Sequence, residues 1–304
     1  MAPTSEDWTR REWLRRTAAG TMAAAVGSMR PASASGPRVL GVQLYTVRNV
    51  LPKDPDGTLK RIAELGYKEV EAGRGELVQY APLLQKYGLK CPSVHLETGL
   101  ITGDKSMAAP AGVTLDSALA DMKRLGVQWV GVPYSGKQKD AEAYKRVAES
   151  MNRAAEAANK MGLGFFYHNH AYEFGGDAGH RAWDYYLQYW DPKLVKLETD
   201  VFWLSTAGQD PAATIRKLGD RVKMLHLKDK SFGAPVHYGE DVKGYTFKEV
   251  GTGVVDFPAV LRAAEQVGVE HFYVEQDQTP GDPVASLKIS FDNLRKMDLA
   301  GKRS

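Results

Sequence analysis

The stretch Gly164-Phe165-Phe166-Tyr167-His168-Asn169-His170, residues 164–170, carries the pattern from which the fold can be predicted. It begins as a short run of aromatic residues, typical of a buried β-strand, and it ends abruptly in polar side chains. Gly162 precedes it, at a place where a glycine can cap a helix and turn the chain back into a sheet. Thirty residues after this run starts, Leu194–Asp200 repeats the pattern and again ends in polar residues. A strand with a polar end, followed by a helical segment, therefore forms one repeating unit.

Eight runs of this kind follow one another from residue 39 onward, and apolar residues at helical spacing lie between them. The runs are Val39–Tyr45, Lys68–Ala72, Lys90–Leu96, Val127–Pro133, Gly164–His168, Leu194–Asp200, Val222–Leu227 and His271–Glu275. Alternation with roughly 30 residues per unit predicts a parallel α/β sheet. Eight units favour a single closed (β/α)8 TIM barrel over a doubly wound sheet, which needs a Gly-rich nucleotide loop after its first strand. No such loop follows Tyr45, and Gly251-Thr252-Gly253, which lacks the phosphate-binding spacing, is predicted to be a turn before the helix that starts near Asp256.

The composition is that of a globular protein and excludes several other classes. The 304 residues are 43% hydrophobic and 25% charged, with one cysteine. No stretch approaches the ~20 uninterrupted apolar residues that a membrane span needs. A single cysteine excludes an internal disulfide framework and a Cys-rich metal site, so any metal must be held by His and carboxylates. The net charge of +3 comes mostly from the first 38 residues, which argues against a nucleic-acid partner.

The N-terminal residues follow the order of regions found in export signals. The pair Arg10-Arg11 stands in a basic segment, residues 17–29 are mildly apolar, and Ala32-Ser33-Ala34 is a small-x-small cleavage site. This order resembles a bacterial twin-arginine signal peptide. The resemblance implies a signal peptide at 1–34, a barrel domain at 35–304, contact with the twin-arginine export machinery and a periplasmic or secreted location. The alternative is an N-terminal amphipathic helix with a basic face.

Polar residues gather at the carboxyl ends of the predicted strands, where a barrel of this type builds its active site. They include Gln43, Tyr45, Glu71, His95, Glu97, His168, His170, Glu173, Glu198, Asp200, His226, Lys228, Glu275 and Asp277. A helix cap, a salt bridge or a buried hydrogen bond would explain any one of them. Together, several buried carboxylates would repel one another unless a cation neutralised them. With no thiolate in the set, Mn²⁺, Mg²⁺, Co²⁺, Fe²⁺ or Zn²⁺ is the expected ion.

Five motifs together resemble the xylose-isomerase-like TIM-barrel superfamily, in its sugar phosphate isomerase/epimerase branch. They are Leu40–Tyr45, Tyr167–Phe174, Asp200–Trp203, His226–Asp229 and Gly251–Phe257. The resemblance implies one divalent metal ion, held by a carboxylate from the fifth-strand region, an Asp from the sixth strand, a His from the seventh and a Glu from the eighth. By position, the last three ligands are Asp200, His226 and Glu275.

The fifth-strand ligand is where this sequence departs from the simplest family pattern. Many epimerases have a Glu within that strand, whereas His168 occupies the equivalent position here and Glu173 follows five residues later. Glu173 is the favoured ligand because it keeps the carboxylate of the family's set, and His168 or His170 is the alternative. Whichever of them does not bind the metal is expected to face the substrate.

Such a site predicts chemistry at the carbon next to a carbonyl group. A divalent ion that binds neighbouring carbonyl and hydroxyl oxygens stabilises the enediolate left when a base removes that proton. Returning the proton gives isomerisation or epimerisation, whereas losing a leaving group gives dehydration or glycoside elimination. We expect a sugar isomerase or epimerase, with a lyase and a non-catalytic periplasmic sugar-binding protein as alternatives. The candidate base is Glu275 or His170. Lys228 is either an electrophile or proton donor, or a salt-bridge partner of Asp229 or Glu198.

The expected substrate is a small carbohydrate without phosphate. Export favours this because sugar phosphates are mostly cytoplasmic, and the chain has no Gly-rich phosphate loop. A nuclease of the apurinic-site type shares the superfamily, but the near-neutral mature chain argues against a groove for backbone phosphates. The sequence is compatible with a homo-oligomer. The residues expected to contact substrate are Gln43, Tyr45, Glu71, His95, His168 and Trp203.

Overall fold

The computed structural model describes residues 38–301. The predicted signal peptide at 1–34 lies outside this range. Ten strands fall within it: β1 (Gly41–Gln43), β2 (Glu69–Gly73), β3 (Lys90–His95), β4 (Trp129–Val132), β5 (Gly164–His168), β6 (Val195–Asp200), β7 (Val222–Leu227), β8 (Asp229–Lys230), β9 (Phe247–Lys248) and β10 (His271–Val274). Eight of them close a parallel barrel in the order β1-β10-β7-β6-β5-β4-β3-β2. The predicted single (β/α)8 barrel is confirmed.

Helices surround this barrel on the outside. They are α1 (Pro55–Leu65), α2 (Arg74–Lys86), α3 (Gly99–Thr102), α4 (Leu115–Arg124), α5 (Ala141–Lys160), α6 (Ala182–Tyr189), α7 (Val201–Thr206), α8 (Pro211–Leu218), α9 (Phe257–Val267) and α10 (Pro283–Gly301). None of these helices is both long and apolar enough to cross a membrane.

The helix boundaries follow from local sequence chemistry. Asp54 and Asp256 each accept a backbone N–H in the first turn of the helix that follows, α1 and α9, and both helices begin with a proline near their start. The same two helices end at Gly66 and Gly268, whose φ angles are 106° and 77°. A left-handed backbone costs a glycine little, so the chain can leave each helix and enter the next strand.

Of the predicted strands, the first and the fourth are shortened most in the structure, for local reasons. The first ends at Gln43 because Leu44–Val47 forms a 3-10 turn, which Gln43 caps by accepting a hydrogen bond from the Tyr45 N–H at 3.1 Å. The fourth begins at Trp129 because the Val127 N–H still bonds the carbonyl of Met122 in α4. Both differences move a strand end and leave the barrel topology unchanged.

Large side chains fill the inside of the barrel below the strand ends. Phe166, Met224 and Tyr273 form a separate buried cluster with Trp129 packed against it. Each of the three stands two residues before a polar strand-end residue, so it shares that residue's inward face. A Cβ atom at position 131 would come within 2.5 Å of the Phe166 ring, so a glycine at this position leaves the space that the ring needs. This cluster forms the floor of the site.

The segment between β7 and α9 folds over the carboxyl ends of the strands. It holds the antiparallel pair β8 and β9, and Asp229 accepts backbone N–H groups from Gly251, Gly253 and Val255 at 2.8–3.0 Å. Gly251-Thr252-Gly253 is therefore a turn before α9, as its sequence indicates. Asp229 therefore holds this segment in place.

Candidate metal centre

Strand register brings four predicted residues together at the mouth, the carboxyl end of the barrel. Asp200 lies beside His226 in the β6–β7 pairing, and His168 at the end of β5 and Glu275 after β10 face the same centre. His168, Asp200, His226 and Glu275, called the upper group, each offer one atom within 4.8 Å of the others. All four are buried.

A second set lies one residue layer deeper and shares both imidazoles. His95, His168, Glu198 and His226, called the lower group, also offer atoms within 4.8 Å of one another. Glu198 precedes Asp200 by two residues on β6, so both side chains point into the barrel and Glu198 lies closer to the floor.

The geometry of the upper group fits a divalent ion. The Asp200 Oδ2 atom is buried, and its ion-pair partner is the Lys228 ammonium at 3.1 Å. It lies 3.9 Å from both His168 Nε2 and His226 Nδ1. This distance is too long for a hydrogen bond. Two atoms that each lie about 2.1 Å from one ion are separated by about 3.0–4.2 Å, depending on the angle between them. Two imidazole nitrogens and two carboxylates are a donor set that such ions accept.

The two carboxylates of the upper group differ in electrostatic environment. Burial raises the pKa of Asp200 to about 6, against the opposing effects of Lys228 and His226. Burial would also raise the pKa of Glu275, but Lys228 and His226 outweigh it and hold that pKa well below its usual value. Glu275 is therefore ionised at neutral pH. It is also the most exposed member of the group, with 8% of its side chain accessible.

Lys228 places a buried ammonium among carboxylates. Its Nζ atom lies 2.7 Å from Glu275 Oε2, 2.6 Å from Asp277 Oδ2 and 3.1 Å from Asp200 Oδ2. Burial would lower the pKa of Lys228, but these carboxylates hold it well above its usual value. The salt-bridge partners are therefore at the mouth, and neither Asp229 nor Glu198 is one of them. Three rings lie within 6.0 Å of the ammonium: Phe202, Trp203 and Phe247.

Three residues expected to contact substrate lie in the deeper layer instead. The Glu71 Oε1 atom accepts a hydrogen bond from Gln43 Nε2 at 2.7 Å and lies 2.7 Å from His226 Nε2. His95 Nε2 lies 2.9 Å from Glu198 Oε2. Gln43 and Glu71 are buried, and 13% of the His95 side chain is exposed. These side chains thus contact the back of the upper group.

The structure places Glu173 outside both groups. Glu173 lies in the 3-10 turn Tyr172–Phe174, beyond the end of β5, and its carboxylate turns back to the chain. It accepts hydrogen bonds from the Tyr167 hydroxyl at 2.7 Å and from the His170 N–H at 2.9 and 3.0 Å. Burial raises its pKa to about 8. The fifth-strand residue that the structure brings to the other candidate ligands is His168.

Polar groups line the mouth beside the upper group. The His170 ring lies 5.1 Å from the Trp203 ring, centroid to centroid, and 5.3 Å from that of Tyr134. His170 Nδ1 and Trp203 Nε1 are buried, and neither has a hydrogen-bond partner in the part of the chain that the structure describes. Burial lowers the pKa of His170 well below its usual value, so the ring is neutral. Tyr45 lies at the rim, 47% exposed, against the guanidinium of Arg48.

Two residues of this centre, Glu198 and Asp277, are not predicted from the sequence to bind metal, act as a base or contact substrate. Glu198 stands two residues before Asp200, and Asp277 stands two residues after Glu275. Residues two apart in a strand share a face. This period of two was the signal that could have placed Glu198 beside the ligands on β6.

Replacing His168 by alanine is expected to weaken Mn²⁺ binding by ~100-fold or more, because it removes a metal ligand. Loss of a residue that only hydrogen-bonds a ligand already lowers metal affinity about 10–100-fold. Glu173→Gln is the matched comparison, and its affinity should stay within about threefold of the original. Titration calorimetry on metal-stripped protein measures both. The reverse ranking would make Glu173 the fifth-strand ligand.

A closed barrel with His and carboxylate side chains converging at its strand ends defines a TIM-barrel enzyme with a site able to hold a metal ion. The chain belongs to the xylose isomerase-like TIM barrel family, whose model matches residues 59–297.

The chain is similar both to proteins of known sequence and to solved structures. An inosose dehydratase from Geobacillus kaustophilus (strain HTA426) is 23% identical over 80% of this chain and 87% of its own length. An inosose dehydratase from Geobacillus thermodenitrificans (strain NG80-2) is 29% identical over 46% of this chain, and the match spans only 49% of that relative. The chain is also similar to the crystal structure of a sugar phosphate isomerase/epimerase from Parabacteroides distasonis ATCC 8503. That comparison has a TM-score of 0.70 and 25% identity, and covers 86% of this chain and 95% of the other.

Proposed function

We propose that this chain is a divalent-metal-dependent enzyme that removes the proton next to a carbonyl group of a non-phosphorylated sugar or keto-sugar and acts as an isomerase or epimerase. The observation that carries the proposal is the upper group. A buried carboxylate oxygen, Asp200 Oδ2, faces two imidazole nitrogens at 3.9 Å, a distance that leaves room for an ion.

The residues of the centre would have separate roles in such a reaction. A divalent ion bound by the upper group would polarise the substrate carbonyl and stabilise the enediolate. Glu275 is the candidate base, because it is ionised and is the upper-group carboxylate most accessible from the mouth. The Lys228 ammonium, 2.7 Å from Glu275, can donate a hydrogen bond to the negative oxygen that develops or return a proton. Neutral His170 and Trp203 offer polar atoms to sugar hydroxyls.

The cations near the mouth support a substrate without phosphate. Arg74 is paired with Glu97 through contacts of 2.8–3.1 Å, and Lys228 is surrounded by three carboxylates. Lys230 donates to the carbonyls of Ser205 and Pro235, and Arg48 donates to the carbonyls of Tyr45 and Asp277. These four basic residues of the described chain are thus already engaged by protein oxygens.

Elimination is the second candidate reaction, and two observations favour it. The curated relatives described above are inosose dehydratases. Lys228 also lies where it could protonate a departing hydroxyl or alkoxyl group after Glu275 has taken the proton. The same residues would then give a lyase acting on a keto-sugar, a keto-polyol or a glycoside.

Turnover of a substrate panel before and after metal removal tests the function. Chelator-treated protein is assayed on free sugars, keto-sugars, keto-polyols, glycosides and sugar phosphates, without metal and with added Mn²⁺, Mg²⁺, Co²⁺, Fe²⁺ or Zn²⁺. We expect at least one phosphate-free substrate to be converted, with activity lost on chelation and restored by an ion. Turnover of sugar phosphates alone, or full activity without metal, would contradict the proposal.

We further propose that residues 1–34 direct twin-arginine export to the periplasm. The support is the order of the basic pair, the mildly apolar stretch and the cleavage site in the sequence. N-terminal sequencing of protein recovered from the periplasm should begin at Ser35. Recovery of the uncleaved chain from the cytoplasm alone would contradict export.

A further inference from the structure

We propose that Glu198 is a positioning residue that holds both imidazole ligands by their far nitrogens, so that the lower group anchors the metal site and is not a second one. The inference rests on the proposed metal site at the upper group. Its basis is a single buried carboxylate oxygen to which three histidines turn.

The distances around Glu198 define this anchor. Its Oε2 atom lies 2.9 Å from His95 Nε2, 3.1 Å from His168 Nδ1 and 3.2 Å from His226 Nε2. Glu198 and His226 are fully buried, and His168 is almost so. Three ring nitrogens at hydrogen-bond distance from one carboxylate oxygen indicate N–H donors, because an ionised carboxylate can only accept.

The two shared histidines each present their other nitrogen to the upper group. His168 turns Nδ1 to Glu198 and Nε2 to Asp200, whereas His226 turns Nε2 to Glu198 and Nδ1 to Glu275 and Asp200. A neutral imidazole has one N–H and one lone pair. Without an ion, His226 Nδ1 can also donate to Glu275 Oε2 at 3.0 Å. When an ion displaces that proton and Glu198 accepts the remaining N–H of each ring, the lone pair of each ring points at the upper group. Metal-bound histidines commonly have such a carboxylate behind them.

This arrangement decides between the two groups. Both use His168 and His226, and the nitrogens facing the lower group carry the protons that Glu198 accepts. A nitrogen that carries a proton cannot bind an ion, so the two groups together provide one metal site, at the upper group. Glu71 adds a second acceptor to His226 at 2.7 Å, but Glu198 is the residue that contacts both shared rings.

The substitution Glu198→Gln tests the proposal, because it replaces one carboxylate oxygen by an amide NH2 and keeps the size of the side chain. The glutamine amide is uncharged, and its NH2 group can face a ring nitrogen as a donor. The two imidazoles are then no longer held in the tautomer that places each N–H toward residue 198. We expect Mn²⁺ affinity, measured by titration calorimetry on the metal-stripped full chain, to fall 10–100-fold, the range seen for outer contacts. Circular dichroism checks that the variant is folded.

The matched control is Glu69→Gln. Glu69 Oε2 lies 2.9 Å from His271 Nδ1, so this control also carries a partly buried contact between a carboxylate and a histidine in the barrel. Neither residue belongs to the upper or lower group. Mn²⁺ affinity should stay unchanged in this control. A similar loss in both variants would overturn the proposal, since it would reflect general damage to the barrel.

The remaining outcomes separate this inference from the proposed function. If the original protein binds no divalent ion, the proposed metal site is overturned and the inference falls with it. If it binds one ion and Glu198→Gln binds equally well, only the inference is overturned. Binding of two ions per chain would also overturn it, because the lower group would then be a site.

A measurement on the original protein keeps the proposal testable if Glu198→Gln does not fold. Long-range proton–nitrogen NMR correlations on the Zn²⁺-loaded chain report which nitrogen of each histidine carries the proton. We expect the proton of His168 on Nδ1 and that of His226 on Nε2. The opposite tautomer at either ring would overturn the proposal.

Discussion

Replacing Asp200 by alanine is expected to abolish metal binding and to lower kcat/KM by on the order of 10³-fold, because the site loses one of its two carboxylate ligands and the charge that holds the ion. Asp200 Oδ2 is the carboxylate oxygen that lies 3.9 Å from both imidazole nitrogens of the upper group. Titration calorimetry with Mn²⁺ and steady-state kinetics measure the two effects.

The matched control is Asp256→Ala. Asp200 Oδ1 also caps α7 by accepting the Trp203 N–H at 3.0 Å, as Asp256 caps α9 by accepting the Ala259 N–H at 2.9 Å. Loss of either cap costs about 1 kcal/mol of stability. Only Asp200→Ala should lose metal and turnover. A sugar-binding protein without catalysis would show no turnover to lose, and a fully active Asp200→Ala variant would contradict the proposed site.

Replacing Lys228 by methionine is expected to lower kcat by about 10²–10⁴-fold, the usual contribution of a positioned proton donor. Metal affinity should be kept or increased, because Asp200 and Glu275 lose the cation that competes for them. Steady-state kinetics and calorimetry on the same preparation separate the two effects. A variant with unchanged kcat would show that Lys228 only neutralises charge.

Stability provides a second reading of the Lys228→Met variant. Removing one partner of a buried ion cluster costs about 3–5 kcal/mol, since the remaining charges stay buried and uncompensated. The metal-free variant should therefore unfold at a lower temperature, and Mn²⁺ should raise its Tm more than that of the original protein. Lys230→Met is the control, because Lys230 is nearly as buried but donates only to the carbonyls of Ser205 and Pro235.

The barrel could be predicted because its strands and helices repeat a local pattern. Each run such as Val222–Leu227 carries its own apolar sequence, and glycines such as Gly268 mark where the helices end. Strand ends were less certain, because the 3-10 turn at Leu44–Val47 depends on a side-chain cap from Gln43. Only the final turn of the segment between β7 and α9 could be predicted from the sequence. The rest of the segment is held by Asp229, which accepts hydrogen bonds from residues 22–26 positions away.

The candidate site could be predicted in part for the same reason. Asp200, His226 and Glu275 end their strands, so their position follows from the barrel alone. The choice of Glu173 over His168 relied on ligand chemistry, whereas the structure shows that the chain has left β5 before residue 173 and that this carboxylate caps the His170 N–H. The layer formed by Glu71, His95 and Glu198 depends on contacts across the barrel, which no local pattern specifies.

Deuterium incorporation from D₂O tests the central claim most directly, because it reports proton removal whether the outcome is isomerisation, epimerisation or elimination. The metal-loaded protein is incubated with free sugars, keto-sugars, keto-polyols and glycosides, and mass spectrometry locates the label. The account predicts deuterium at a carbon next to a carbonyl group, dependent on the ion and absent with Asp200→Ala. Conversion of a substrate without solvent deuterium at any such carbon would contradict it.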